Sequence, residues 1–324
     1  MTGPERFAVD VAAALGRGLD EGERLALAVS GGPDSMAMLA LAHAAFPGRV
    51  VAATVDHRLR AASAEEAAMV AAWCSGRGIP HATLVPAEPI AGASIQARAR
   101  EARYALLSGW AEEQGAAALL TAHHRDDQAE TLLMRAARGS GVAGLAAVRV
   151  RRDLGVVPLI RPLLDWSRAE LRAIVEAGGL PFVDDPSNRD DAFDRTRVRR
   201  LLEENRWFDA AGLARSAAHL AEAEQALAAW LDQLWAERAR IDGAALTFDP
   251  AGLPRELRRR AVRRGIAEIR RTAGITAPAW SDATNVEPLL DALDGGRGAT
   301  QAGVAIRSSR GRWRFAAAPP RRPH

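Results

Sequence analysis

Residues 24–35 read RLALAVSGGPDS, and most of the expected fold follows from how that stretch changes character. Residues 24–29 form a short apolar run ending in small side chains, as a strand buried on both faces does. Helical spacing begins at residue 35 and runs to 45, so strand and helix are joined by the tight loop SGGPDS, residues 30–35. Gly31 and Gly32 tolerate positive φ and leave space beside the backbone, while the free amides of the helix start, with the helix dipole behind them, attract an anion. The loop therefore reads as a phosphate cradle. It lacks the Lys of a Walker motif and the spacing of a dinucleotide fingerprint. Glycine turns also end strands that bind nothing, but Asp34 and the flanking Ser30 and Ser35 favour the ligand reading.

Downstream the alternation continues. Strands are expected at 50–55, 81–85, 116–121 and 156–160, and helices at 5–17, 63–77, 94–113 and 126–138. Ser167 with Glu170 forms a capping box for a helix ending near Gly178. Such alternation predicts an α/β fold, a parallel sheet with helices on both faces, and ligands at the carboxyl ends of its strands. After the loop PFVDDPSNRDDAFDR, residues 181–195, Arg-rich helices are expected at 201–235 and 255–271, and VAIRSSRGRWRF, residues 304–315, alternates like a hairpin. The boundary is placed at Trp207: residues 1–207 form the α/β domain and 208–324 a smaller, basic, mostly helical one. Pro319–His324 reads as a disordered tail.

Composition narrows the function. The longest apolar run, residues 36–46, is too short to cross a bilayer, and Glu5, Arg6 and Asp10 do not suit a secretion signal. A single cysteine, Cys74, allows neither an internal disulfide nor a cysteine metal cluster. A cytoplasmic protein without membrane partners is expected. The net charge of +3 conceals an asymmetry: residues 195–324 hold 23 Arg and 15 acids, residues 1–194 hold 20 Arg and 25 acids. A basic back half suggests a polyanionic partner, and with no Lys in the chain, phosphate must be held by Arg or backbone amides.

A second chemical cluster, AHHRDDQAET at residues 122–131, closes the fourth strand and opens a helix. Asp127 and Glu130 are three apart, Asp126 and Glu130 four apart, so their carboxylates share one helix face. Acids there also cap the helix dipole, but two His, two Asp and one Glu exceed what capping requires. The group suits Mg²⁺ or a cationic substrate; adjacent His123 and His124 point apart, which disfavours zinc. Asp56, in VDHRLR just past the second strand, is placed to meet the adenosine end of a nucleotide. Arg98, Arg100 and Arg103 lie on the long helix beside Gln96 and Tyr104, and Arg135 and Arg138 precede GSG. Arg258, Arg259, Arg260, Arg263 and Arg264 form a stripe for phosphates, whereas Trp207, Trp230 and Trp235 sit at helical spacing, more often core than base-stacking.

SGGPDS resembles the PP-loop of the ATP pyrophosphatases, which split ATP into AMP and pyrophosphate. SGGPDS, VDHRLR, TAHHRDDQAETLLMRAARGSGVAGL, RPLL at 161–164 and DDPSN at 184–188 occur in the order seen in tRNA(Ile)-lysidine synthetases, and the resemblance is strong over residues 20–205. It implies adenylation of the wobble cytidine of an isoleucine tRNA with a CAU anticodon, followed by attack of free L-lysine. It also implies ATP and Mg²⁺ as cofactors, with Ser30, Gly31, Gly32, Pro33, Asp34, Ser35 and Asp56 holding the nucleotide and Asp34 the metal. Asp34, Asp127, Glu130 and Arg138 would be catalytic. His123, His124, Asp126, Asp127, Glu130, Arg103, Arg135, Arg195 and Arg197 would bind substrate. The family more often has Arg followed by Asn where this chain has Arg195, Thr196 and Arg197, and many members carry a longer tail domain, which here echoes the family only in GRWRF. The resemblance implies an ATP-binding catalytic role for residues 1–207 and a tRNA-binding role for 208–324, and a homodimer fits this reading. The nearest rival, a PP-loop tRNA sulfurtransferase, shares the HHxDDxxET element but needs paired cysteines. Amidotransferase relatives would need a nitrogen-donor site, and a silent nucleotide- or RNA-binding module would not need Asp34, Asp127 and Glu130 together.

Overall fold

The computed structural model describes residues 1–58, 62–88, 95–184, 194–205, 207–281 and 284–319. The chain divides into two compact units, Met1–Ala221 and Glu222–His324. The sequence places the change of pattern at Trp207; the division by contacts falls inside a later helix.

The first unit is built on β1 (Arg24–Ala28), β2 (Val50–Val55), β3 (His81–Leu84), β4 (Ala116–Leu120), β5 (Arg151–Asp153) and β6 (Pro158–Ile160). They form one sheet in the order β3-β2-β1-β4-β6-β5, parallel except for the β5 edge. Around it lie α1 (Gly3–Leu15), α2 (Pro33–Ala45), α3 (Ala62–Ser75), α4 (Ile95–Glu113), α5 (Arg125–Ala137), the single turn α6 (Val142–Leu145), α7 (Arg168–Ala177) and α8 (Asp194–Glu204). Period-two alternation assigns the strands to two layers. Leu25 and Leu27 of β1 join Phe7, Met36, Leu39, Leu171 and Val175 from α1, α2 and α7 in one core. Ala26 and Val51 face Leu107, Trp110 and Ala111 of α4 on the other side. The sheet is thus covered on both faces, which is why its strands are continuously apolar.

Strand order reverses at β1, with β2 on one side and β4 on the other. This switch point opens a crevice beyond the carboxyl ends of β1 and β4, where the loop 30–35 and the cluster 122–131 lie.

Two differences from the sequence expectation have local causes. The strand expected at 156–160 begins at Pro158 and pairs with β4, and an antiparallel edge strand, β5, accompanies it; its three exposed residues carry no apolar pattern to announce it. The helix expected over 201–235 is two helices, α8 and α9 (Ala210–Arg238), interrupted around Trp207, which is 94% exposed. The stretches 185–188 of DDPSN and 320–324 of the tail lie outside the described residues.

The second unit contains the end of α9, α10 (Arg255–Thr272) and α11 (Glu287–Asp294). Its strands β7 (Ala239–Asp242), β8 (Ala245–Phe248), β9 (Ala299–Gln301), β10 (Val304–Ser309) and β11 (Arg312–Ala317) form an antiparallel sheet ordered β7-β8-β11-β10-β9. The expected hairpin is β10–β11; the other three strands extend it. One sheet face buries Leu246, Phe248, Val304, Ile306, Trp313 and Phe315 against Leu257, Val262 and Ile266 of α10. Trp235 stacks on Phe248 with ring centroids 5.2 Å apart, a core role, whereas Trp230 is half-exposed.

Candidate active site

The loop after β1 is held open by its own hydroxyls. Ser30 N donates to Ser35 Oγ at 3.2 Å, and Ser35 Oγ donates back to Gly32 O at 2.9 Å. Gly31 has φ 86°, a left-handed conformation that a Cβ would strain, and its carbonyl accepts from Val183 N at 2.9 Å. Gly32 is the N-cap of α2 and Pro33 opens the helix, losing only an N–H that would have had no intrahelical acceptor. The first-turn amides of Asp34 and Ser35 therefore remain for an anion.

This loop forms one wall of a cleft of about 670 Å³. Ser30, Gly32, Asp34 and Ser35 line it, as do His123 and Asp127 from the end of β4 and the start of α5, and Arg195 from α8. Arg100, Arg103 and Tyr104 of α4 supply a cationic, aromatic side. Arg103 donates to His57 Nε2 at 3.0 Å and Arg100 to Tyr104 OH at 3.2 Å. Among the described residues neither guanidinium pairs with a carboxylate. The cleft thus has helix-start amides on one wall and uncompensated positive charge on the other, an arrangement suited to a polyphosphate and a base.

Between these walls lies a compact set of ionisable groups. His124, 2% exposed, places Nε2 3.4 Å from Asp34 Oδ2 and 3.7 Å from Asp127 Oδ1, and Nδ1 3.5 Å from Asp126 Oδ2. These are charge contacts longer than good hydrogen bonds. Burial alone would push its imidazole down; Asp126, Asp34 and Asp127 outweigh burial and hold it up at about 9. His124 is therefore a buried cation tying the phosphate loop to α5. His123 has the opposite fate. It is partly buried, and burial, opposed by Asp127 and reinforced by Arg161, Arg100 and Arg195, pushes it down to about 3. It stands neutral in the cleft, with Nδ1 3.0 Å from Thr121 Oγ1.

The three carboxylates that sequence spacing groups together have different partners. Asp126 Oδ2 accepts from Arg168 N at 2.9 Å. Asp127 lines the cleft; its Oδ2 accepts from His124 N at 3.1 Å and its Oδ1 from Arg195 at 2.6 Å. Burial opposes ionisation of Asp127, but His124 and Arg195 overcome it and hold the carboxyl below its usual range. Glu130 is fully buried, and both its oxygens are occupied: Arg195 Nε at 2.7 Å on one, Arg168 at 2.7 Å and Arg199 at 2.9 Å on the other. Only Asp127 of the three faces the cleft. Glu130 instead joins α5, α7 and α8, and it places Arg195 at the cleft wall. Arg168 and Arg199 were not singled out in the sequence; Arg199, one helical turn after Arg195, could have been found by spacing, whereas Arg168 carries no local signal.

Other expected residues lie away from the cleft. Asp56 does not line it; Asp56 Oδ1 accepts from Arg58 N at 2.8 Å and from Ser63 Oγ, fastening the loop after β2 to α3. Arg135 donates to Gly144 O and Ala147 O at 2.8 and 3.0 Å, closing the turn after α5. Arg138 and Arg197 both pair with Asp194 and border a separate hollow of about 270 Å³ with Met134, Ala137 and Val198. Cys74 is buried in α3, and burial pushes its thiol up to about 11, far from reactive thiolate chemistry.

Mg²⁺ suits this donor set in one place. Asp34 Oδ1 is buried without a hydrogen-bond partner, and Asp34 lines the cleft. Among the described residues no three His, Cys, Asp or Glu side chains form a metal cage, consistent with an ion that takes one or two carboxylates and completes its shell with water and phosphate oxygens.

Comparison with known proteins matches this geometry. Residues 5–205 match the PP-loop domain family. The chain is 44% identical to the tRNA(Ile)-lysidine synthase of Novosphingobium aromaticivorans over 307 residues, 94% of this chain and 92% of that protein. The chain belongs to the tRNA(Ile)-lysidine synthase family. The synthase of Zymomonas mobilis is 42% identical over 92% of this chain and 90% of its own. Among solved structures, a U34-tRNA thiolase from Methanococcus maripaludis superposes with a TM-score of 0.57 at 19% identity, covering 68% of this chain and 79% of that one, which relates the fold alone. As a PP-loop member of the lysidine synthase family, the chain uses ATP. No helix among the described residues is long and apolar enough to cross a membrane.

Proposed function

We propose that this protein is a tRNA(Ile)-lysidine synthase that activates the wobble cytidine of isoleucine tRNA with ATP and then joins free L-lysine to it. The observation that carries the proposal is the single cleft in which the phosphate loop, His123, Asp127 and Arg195 meet. In the first step the cytidine 2-oxygen attacks the α-phosphorus and pyrophosphate leaves. The amides of Asp34 and Ser35 hold the departing phosphates, and Arg195 neutralises charge on the reacting phosphoryl group. Mg²⁺ bound at Asp34 would supply further charge neutralisation. In the second step the lysine amine attacks C2 of the activated cytidine and AMP leaves.

Lysine arrives protonated, with a reference pKa near 10.4, and must lose a proton before it can attack. Of the clustered carboxylates Asp127 is the one that lines the cleft, and it receives the ammonium; Glu130 and Asp126 act behind it by fixing Arg195 and His124. Neutral His123, beside Asp127, leaves the site's negative charge uncancelled at that edge. Arg100, Arg103 and Tyr104 flank the base. Arg138 and Arg197, outside the cleft, meet the RNA around the anticodon in this reading. The buried thiol of Cys74 gives no support to sulfur transfer.

The order of release tests the reading. With ATP and isoleucine tRNA alone, pyrophosphate should appear; AMP should follow in quantity only when lysine is added. Asp34→Ala should abolish pyrophosphate release while tRNA retention on filters persists. Multiple-turnover AMP release that ignores lysine, or equal loss of tRNA binding in Asp34→Ala, would contradict it.

A further inference from the structure

The sequence points to the arginines of α10 as a phosphate stripe, but the structure neutralises them. Arg258 pairs with Asp294, Arg259 with Glu287, Arg260 with Glu224 and Arg264 with Asp232, each at 2.5 Å, and Arg263 donates to Thr284 O at 2.9 Å. The solvent face of the second unit's sheet is different. Register sets Arg240 opposite Thr247, Thr247 opposite Arg314 and Arg314 opposite Arg307, one row across β7, β8, β11 and β10. Arg312 stands on the same face two residues from Arg314, opposite Ser309. The alternate residues Val304, Ile306, Trp313 and Phe315 are buried, which fixes the arginines outward.

All four arginines are exposed. Among the described residues the guanidiniums of Arg307, Arg312 and Arg314 have no hydrogen-bond or ion-pair partner, and that of Arg240 donates only to the carbonyls of Ala236 and Ala239. Like charges directly opposite on neighbouring strands destabilise a sheet, so Arg307 facing Arg314 contributes nothing to folding. Guanidiniums in such a row match phosphate oxygens, which accept their paired N–H groups.

We propose that this sheet face, rather than α10, is the second unit's docking surface for the phosphate backbone of a folded RNA. The identity of that RNA as isoleucine tRNA rests on the functional reading above; the surface itself does not.

The test is filter binding of the full chain to an isoleucine tRNA transcript across a salt series. At ~0.9 in log–log slope per phosphate contact, Arg307→Gln with Arg314→Gln should flatten the slope by about 1.8. The ratio of Kd at about 200 mM to Kd at about 50 mM salt then falls about 12-fold relative to the unsubstituted chain. Melting temperature should not fall, since a repulsive pair is removed. Arg258→Gln with Arg264→Gln on α10 should leave the slope unchanged. An unchanged slope in the sheet variant, or equal flattening in the α10 variant, overturns the proposal. If the Gln pair melts low, Arg307→Lys with Arg314→Lys must keep the original slope, and its failure to do so overturns the proposal as well. Absence of lysine transfer by the unsubstituted chain would refute the functional reading while leaving the salt slopes interpretable.

Discussion

Replacing Glu130 by Gln separates two roles that its position allows. Its carboxylate is fully buried and accepts from Arg168, Arg195 and Arg199. Removing one member of a buried charge pair costs about 3–5 kcal/mol, because the partner is left uncompensated. Here the guanidiniums keep 29%, 43% and 25% of their side-chain exposure, and water relieves part of that penalty, so the lower end, about 3 kcal/mol, applies. For a unit of this size each kcal/mol moves the melting temperature by about 2–4 °C, giving a fall of about 6–12 °C. The assay is thermal unfolding followed by far-UV circular dichroism. Because Arg199 shares the same oxygen as Arg168, Glu130→Gln combined with Arg199→Met should cost less than the sum of the single changes. Should Glu130→Gln melt within about 2 °C of the unsubstituted chain while the KM for lysine alone rises, Glu130 would be a direct lysine receptor and the positioning argument would fail.

The glycines of the phosphate loop should behave differently. Gly31→Ala places a Cβ at φ 86° and 3.3 Å from Met69 Cε, so stability should fall by about 1–2 kcal/mol; an unchanged melt would count against the strain argument. Gly32→Ala meets nothing nearer than 3.7 Å at an ordinary φ, so its melt should hold while the KM for ATP rises, provided the ligand approaches that backbone. His124 sets an alkaline limit. Its folded pKa of about 9 lies above the unfolded 6.5, so its contribution, at most about 3 kcal/mol, is complete below pH 6.5 and lost as pH rises through 9. The melting temperature of His124→Gln should therefore approach that of the unsubstituted chain over this interval; parallel curves would refute the assignment. Asp127 and Glu130, held below their usual range, act on the acid side: their contribution is present above the ordinary carboxylate pKa and lost as pH falls.

Much of the first unit was legible because its signals are local. The apolar strand before SGGPDS, the helix directly after it and the HHRDD run at the end of β4 each carry their own pattern. The switch-point topology then brings the two chemical elements together without further information. What the sequence obscured depends on partners far along the chain. Spacing showed that Asp126, Asp127 and Glu130 share a helix face, but not that Glu130 would be enclosed by arginines 38, 65 and 69 residues away. Asp56 has the right address at the end of β2, yet the neighbouring Ser63 and the Arg58 amide take its Oδ1. In the second unit, Asp242-Gly243, where β7 ends and turns toward β8, is a hairpin signal that the arginine-rich helices overshadowed. The arginines of α10 were conspicuous in sequence because they are consecutive, whereas those of the sheet face are separated by alternation and by strand pairing.

The central claim is that one cleft couples ATP cleavage to lysine transfer onto a particular tRNA. Its most direct test is incubation of the purified chain with labelled L-lysine, ATP and Mg²⁺, together with either isoleucine tRNA or initiator tRNA, both carrying the CAU anticodon. Label should enter the isoleucine tRNA and not the initiator. Equal labelling of both, or labelling of neither, would contradict the account.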